Sequence, residues 1–282
     1  MTPRHYRVAI IGRTGKGNYG HGLDVVWNQI ENVEVVAVAD PDEKGRAAAA
    51  ARIKAKAAYA DYREMLDKER PEIVSVADRW LDQHRDMALA CVRHGAHVFL
   101  EKPMARTLRE ADEMVAACEQ HHVKLAIAHQ TRHSPRVKVI RDLIASGRLG
   151  GLVEMRGRGK EDPRGGGEDL MVLGTHIFDL MRLFAGDARW CFADLRHAGH
   201  PATKNDVRQA GEGIGPILGD RIHATYGFDN GVVGTFGTKV KNGPGERFGL
   251  SIYGTKGVIQ LGTGSLPFAY IIEEPTWFFG QS

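Results

Sequence analysis

The chain has 282 residues, 38 Lys+Arg against 35 Asp+Glu for a formal charge of +3, and 43% apolar residues beside 26% charged ones. That balance describes a folded globular protein of one or two domains, and argues against a disordered chain or a basic nucleic-acid binder. No apolar run approaches the roughly 20 residues of a membrane span and no signal-peptide core opens the chain, so a cytoplasmic protein without membrane or nucleic-acid partners is expected.

Glycine is the outlier, with 34 residues where roughly 7% is usual. Five lie in 12–22, eight in 147–167 and fifteen in 211–264, which puts the excess in two loops and a set of turns. Cys91, Cys118 and Cys191 have neither metal-ligand nor redox spacing. Reduced core thiols and no metal site are expected.

In chain order, segments 7–11 (RVAII), 33–39, 72–77, 97–100 and 123–128 are short and aliphatic or β-branched throughout. Continuous apolarity of this kind suits strands covered on both faces, as in a parallel sheet. Helical stretches at 42–58, 83–94 and 108–121 separate them, the last opened by the capping-box pattern Thr107-Leu108-Arg109-Glu110. The alternation predicts a doubly wound α/β domain, with its boundary at residue 128. Beyond it, Ser134-Pro135 opens a helix that runs to 146, 152–158 reads as a strand, and 170–184 as an apolar helix ended by Gly186. Strands then follow at 190–197, 221–228, 231–240, 248–253 and 257–261, with hairpin turns at Asp229-Asn230-Gly231 and Gly254-Thr255-Lys256. Residues 129–282 are expected to form an α+β domain with a mainly antiparallel sheet and helices on one face.

Three groups could carry chemistry. After the first strand, Gly15-Lys16-Gly17-Asn18-Tyr19-Gly20 fits G-x-G-x-x-G, and Gly12 stands where a first glycine would leave the strand. Glycines admit a pyrophosphate, whose charge the amides of a following helix would meet. Asp40 closes the second strand 20 residues beyond Gly20, where an acid accepts from an adenosine ribose and repels a 2′-phosphate. NAD is therefore expected, while Lys44 and Arg46 beside Asp40 keep NADP open. Second, Glu101-Lys102-Pro103 follows the strand 97–100 at the carboxyl edge, where open sheets bind ligands. A lysine there can hydrogen-bond a substrate hydroxyl. Third, Gly174-Thr175-His176-Ile177-Phe178-Asp179 sets His176 at the border of an apolar helical face, and Gly174 implies the close approach of another group. Each group also has a plainer reading: a surface turn, a solvated edge lysine, a structural histidine.

Taken together, the loop 12–20, Asp40, His84, Glu101-Lys102-Pro103, Ser134-Pro135 and Gly174-x-His176-x-x-Asp179 resemble the Gfo/Idh/MocA family of NAD(P)-dependent oxidoreductases over nearly the whole chain. The resemblance implies a Rossmann domain joined to an open-faced sheet domain that acts on sugars, polyols or cyclitols and associates as a dimer or tetramer through that sheet. It implies cofactor contacts from Gly12, Arg13, Thr14, Gly15, Gly17, Asn18, Tyr19, Asp40, Trp80, His84, Glu101, Lys102 and Gln130. Lys102 would polarise the reacting hydroxyl and His176 take its proton, with Arg132, Asp169 and Asp179 also on the substrate. Two departures stand out. Val172 occupies the place where the family often has an aspartate one turn before the histidine, leaving Asp169 as the preceding acid, and Arg79-Trp80 replaces a common Thr-Pro pair. The missing aspartate, together with the histidines His129, His133, His176, His197 and His200, motivates one alternative, a redox-neutral NAD-dependent enzyme that cleaves glycosides; the absent Asp–His pairing permits another, a non-catalytic dinucleotide sensor or scaffold. Relatives continue past a stretch like 274–277, so a C-terminally incomplete second domain is also an expectation.

Overall fold

The structure, a computed structural model, describes residues 4–241, 248–263 and 268–276; the expectations resting on 1–3 and on Trp277 lie outside them. The chain divides into two compact units, Met1–Ala128 with Gly211–Gly215, and His129–Ala210 with Pro216–Ser282.

In the first unit, β1 (Tyr6–Ile11), β2 (Val33–Ala39), β3 (Ala57–Tyr59), β4 (Ile73–Val76), β5 (His97–Leu100) and β6 (Leu125–Ile127) form one sheet. Its order is β3-β2-β1-β4-β5-β6, and every pair is parallel. This is the doubly wound order that reverses direction beside β1. The helices are α1 (Glu43–Ile53), α2 (Tyr62–Glu69), α3 (His84–Arg93) and α4 (Leu108–Gln120). Aliphatic strands buried on both faces pack against Met65, Leu66, Met87, Val92 and Met114 on one side and Leu23, Ala49 and Ile53 on the other. The cap expected for α4 is present, Thr107 Oγ1 accepting from Glu110 N at 3.2 Å.

Two elements differ from expectation. The stretch 42–58 is not one helix: α1 stops at Ile53, Lys54 turns left-handed at φ 55°, and the chain enters β3. Its alanine run has no apolar–polar contrast to separate helix from strand. No α-helix follows the glycine loop either; Gly20–Gly22 and Val26–Gln29 are short 3₁₀ turns. There the Leu23 carbonyl accepts from the side chains of Ser75 (2.8 Å) and Trp27 (3.0 Å), and Asp24 is drawn onto Arg52. Side chains thus take positions that an α-helical ladder would need.

The second unit comprises α5 (Pro135–Ala145), β7 (Leu152–Arg158), α6 (Gly167–Val172), α7 (Gly174–Ala185), β8 (Ala188–His197), β9 (His200–Pro201), β10 (Arg208–Gln209), β11 (Pro216–Ile217), β12 (Arg221–Phe228), β13 (Val233–Lys239), β14 (Gly249–Gly254), β15 (Gly257–Gly262) and β16 (Ala269–Ile272). Eight of these strands form a sheet in the order β16-β15-β14-β7-β13-β12-β8-β9, antiparallel except for the β7–β13 pair. Ile177, Leu180 and Met181 of α7 and Val137 and Ile140 of α5 pack with Met155, Phe236 and Ile252 of the sheet. β8 is largely exposed, with Phe192 at 72% and Trp190 at 53%. Cys191 lies exposed on this strand, which corrects the expectation of three core thiols; Cys91 and Cys118 are buried.

Phe236 is fully buried and contacts Phe178 with ring centroids 4.9 Å apart. Phe236→Ala is expected to cost about 3–5 kcal/mol and to lower the thermal midpoint by on the order of 10 °C in a calorimetric scan.

Candidate functional site

Strand register assembles the candidate groups of the first unit. Ile11 is level with Ala39 and Val76, and Val76 with Leu100, so Gly12, Asp40, Ala77 and Glu101 all leave the sheet at one carboxyl edge. Over β1 and β2 lies a cleft of about 280 Å³, lined by Ile11, Gly12, Arg13, Ala39, Asp40, Pro41, Ala60, Asp61, Tyr62, Arg63, Gln83 and Met87.

The glycine loop folds back on itself. Lys16 N and Asn18 N donate to Arg13 O, Gly15 N donates to the Asn18 side chain, and Gly20 N to Ala77 O. Gly17 has φ +83°, and a Cβ there would stand 2.6 Å from Arg79 Cβ, so the Arg79-Trp80 departure packs directly on the loop. The Lys16 ammonium lies 4.3 Å from the Trp80 ring centroid. Arg13 turns away to ion-pair with Asp78 (2.6 Å) and Asp82 (2.5 Å). Burial raises the Asp78 carboxyl above its ordinary value despite Arg13 beside it. Tyr19 is packed on Gly12, where its phenol is pushed far up by burial and by the Asp40 charge. Phosphate binding at an α-helix N-terminus, as expected from the sequence, has no helix to use here.

Lys102 is 5% exposed, with Nζ 4.0 Å from Glu101 Oε1. The same oxygen lies 2.9 Å from His21 Nδ1. Sequence reasoning gave His21 no role; its one signal is its position directly after the loop's last glycine. His84 is fully buried, and its ring nitrogens lie 2.9 Å from Pro103 O and 2.7 Å from Asp78 O. Both nitrogens are thereby engaged with backbone. His84 fastens the Glu101-Lys102-Pro103 turn to the segment after β4.

In the second unit, α6 and α7 are separate helices that break at Leu173 (φ −114°), and a Cβ on Gly174 would stand 3.0 Å from the Phe236 ring. His176 meets His129 edge-on, ring centroids 5.4 Å apart, and Phe248 at 6.1 Å. His129 Nδ1 lies 3.8 Å from Asp179 Oδ1, which is also ion-paired with Arg132. Gln130 is exposed on the same short turn as Arg132. His129 was one of several histidines without a role in the sequence; only folding brings it to His176 and Asp179. Asp169 is fully buried and accepts from Lys160 N (3.2 Å), Glu161 N (3.1 Å) and Thr238 Oγ1. Its carboxylate holds the loop 160–161 to β13.

With this geometry in hand, two family models match: an oxidoreductase family with an NAD-binding Rossmann fold over residues 6–129, and the GFO/IDH/MocA C-terminal domain over 137–260. The chain belongs to the Gfo/Idh/MocA oxidoreductase family. It is 27% identical over 227 residues to D-apiose dehydrogenase from Paraburkholderia graminis, covering 77% of this chain and 58% of that protein. It is 25% identical to inositol 2-dehydrogenase from Rubrobacter xylanophilus, covering 90% of this chain and 70% of that one. Among solved structures, levoglucosan dehydrogenase in complex with NADH and levoglucosan shares the fold, with TM-score 0.73, 21% identity, and 96% and 80% of the two chains covered. The first unit of this family member is thus an NAD-binding Rossmann domain. The cleft over β1 and β2 is apolar at Ile11, Ala39 and Met87 and lies at the carboxyl edge, beside the reversal of strand order between β1 and β4. No group of His, Cys, Asp and Glu able to hold a metal ion occurs among the described residues.

Burial holds the Asp169 carboxyl above its ordinary 3.8, against three hydrogen bonds that act the other way. A carboxyl raised on folding stabilises the native state while protonated; that contribution is complete below pH 3.8 and is lost as pH rises through the native value. Asp169→Asn removes the titration. Its unfolding free energy relative to the unsubstituted protein is expected to rise with pH from about 4 and then level off. Urea titrations at stepped pH check this, and a difference independent of pH would contradict it.

Proposed function

We propose that this Gfo/Idh/MocA protein transfers hydride between NAD(H) and a secondary hydroxyl of a sugar, polyol or cyclitol, with Lys102 polarising the hydroxyl and His176 exchanging its proton. The carrying observation is Lys102 itself: nearly buried, set directly after β5, on the edge where Gly12 and Asp40 also emerge. Burying an ammonium is expensive unless partners meet it, and Glu101 at 4.0 Å is one of them. Relatives named as dehydrogenases of apiose and inositol support the substrate class. NAD, when bound, supplies the hydride acceptor. The cleft residues Ile11, Gly12, Pro41, Tyr62 and Met87 would hold its adenosine half, with Gly15 and Gly17 along the loop and Trp80 beside them. Alcohol oxidation further requires a base for the O–H. His176 is a partly exposed imidazole with His129 against its ring and the Asp179 carboxylate one turn further along α7. This arrangement supports proton exchange without the aspartate that Val172 replaces.

Lys102→Ala is expected to reduce kcat by about 10²- to 10⁴-fold while leaving the NAD(H) dissociation constant within about threefold. His176→Gln is expected to behave alike. Turnover of a sugar and cyclitol panel followed at 340 nm, with binding measured separately, checks both. A fully active Lys102→Ala protein would remove the proposed role, and hydrolysed product without net NADH would favour the redox-neutral alternative.

The open face of the second unit's sheet supports association of like subunits. β8 exposes Trp190 and Phe192, and β16 exposes Tyr270, an apolar display suited to pairing with a second copy. Phe192→Arg is expected to shift the sedimentation coefficient from oligomer to monomer, and a monomeric unsubstituted protein would refute association through this face.

A further inference from the structure

Asp40 follows β2 at the place where an acid reads the adenosine ribose in dinucleotide-binding folds, yet its surroundings leave it little freedom to do so. It is 0% exposed. Oδ2 accepts from Thr14 N (3.0 Å) and Thr14 Oγ1 (2.8 Å), and Oδ1 from Thr14 N (3.2 Å) and Asp42 N (3.0 Å). An ionised carboxylate offers about four acceptor positions, and three donors from the chain itself, Thr14 N shared between both oxygens, Thr14 Oγ1 and Asp42 N, take up most of them.

Thr14 is wedged into this position. Its hydroxyl lies against the first turn of α1 where any Cβ on residue 45 would overlap it, so Gly45 is what gives Thr14 room. The remaining polar groups of the turn are engaged as well. Gly45 N donates to Asp42 Oδ1 at 2.6 Å, and Arg46 Nη1 donates to Asp40 O at 2.6 Å. The charged side chains of the cleft that stay largely exposed are Asp61 and Arg63, which face each other at 3.7 Å.

We propose that Asp40 serves the glycine loop instead of the ribose: locked by Thr14, it holds the loop in its binding shape and does not discriminate NAD(H) from NADP(H) by touching the 2′ position. A ribose-reading acid and a loop-anchoring acid respond to substitution in opposite ways. Removing a ribose reader weakens NAD+ and relieves the repulsion of the 2′-phosphate. Removing a loop anchor disorders a part of the site that both dinucleotides share, so both weaken together.

The inference rests on the reading of the first unit as a dinucleotide site, and binding calorimetry on the full chain separates the two. Dissociation constants for NAD+ and NADP+ are measured for the unsubstituted protein and for Asp40→Ala, Asp40→Asn and Thr14→Val. Thr14→Val is expected to weaken both dinucleotides by about tenfold, the loss of one hydrogen bond to a charged group, and Asp40→Ala by at least as much, with the ratio of the two constants kept within about twofold in each. Asp40→Asn keeps an acceptor for Thr14 and is expected to lose less. Weaker NAD+ and tighter NADP+ binding in Asp40→Ala, with Thr14→Val unchanged, would overturn the inference. If Asp40→Ala does not fold, Thr14→Val decides: an equal loss for both cofactors supports the lock, and no loss overturns it. Binding of neither dinucleotide by the unsubstituted protein would overturn the dinucleotide reading, and the lock with it.

Discussion

Parallel strand pairing in register is the constraint on which the first unit depends. A parallel ladder with both faces buried allows little slippage, because a shift of one residue turns each side chain to the opposite face. With Ile11, Ala39, Val76 and Leu100 level, the residues after each strand arrive together at one edge. Gly12, Asp40, Asp78, Glu101 and Lys102 therefore meet without any long loop to bring them there. The aliphatic strands that read as a buried sheet are the same feature that gathers the polar edge.

Gathering charge at a buried edge has consequences. Asp40, Asp78, Glu101 and Lys102 are all at most 5% exposed, and a buried charge must find partners. Asp40 takes Thr14, Asp78 takes Arg13 and Trp80 N, and Glu101 takes His21 with Lys102 near. These partnerships give the edge its shape. Arg13 and Thr14 face the sheet's own carboxylates, the loop closes on Arg13 O, and His84 joins the Lys102 turn to the segment after β4. In the second unit the same rule acts on Asp169, whose carboxylate anchors a loop, and on Asp179, which Arg132 neutralises beside the histidine pair.

Much of the fold was legible because its signals are local. Five of the six parallel strands are aliphatic runs, the α4 cap is a four-residue pattern, and the hairpins of the second sheet carry Asn-Gly and Gly-x turns. β3 was not legible, since an alanine-rich stretch has no periodic contrast and only the left-handed Lys54 marks where the helix ends. The missing helix after the glycine loop was hidden for a different reason. Two of the side chains that take the positions such a helix would need are distant in sequence: Ser75 lies 52 residues from the Leu23 carbonyl that it engages, and Arg52 lies 28 from Asp24.

The candidate site divides along the same line. Residue types and spacing by themselves marked a glycine loop, an acid after β2, a lysine after β5 and a histidine on an apolar helix as candidates for chemistry, because strand ends and helical periodicity are properties of short segments; their resemblance to the Gfo/Idh/MocA family is what pointed to one kind of oxidoreductase. Only the tertiary structure decided what each group touches. It engages Asp40 with Thr14, His84 with two backbone carbonyls, and Asp169 with a loop amide pair, and it brings His129 to His176. The physical reason is that a buried polar atom must bond whatever donor or acceptor the packed chain places within about 3 Å, and that neighbour is set by the fold rather than by nearness in sequence.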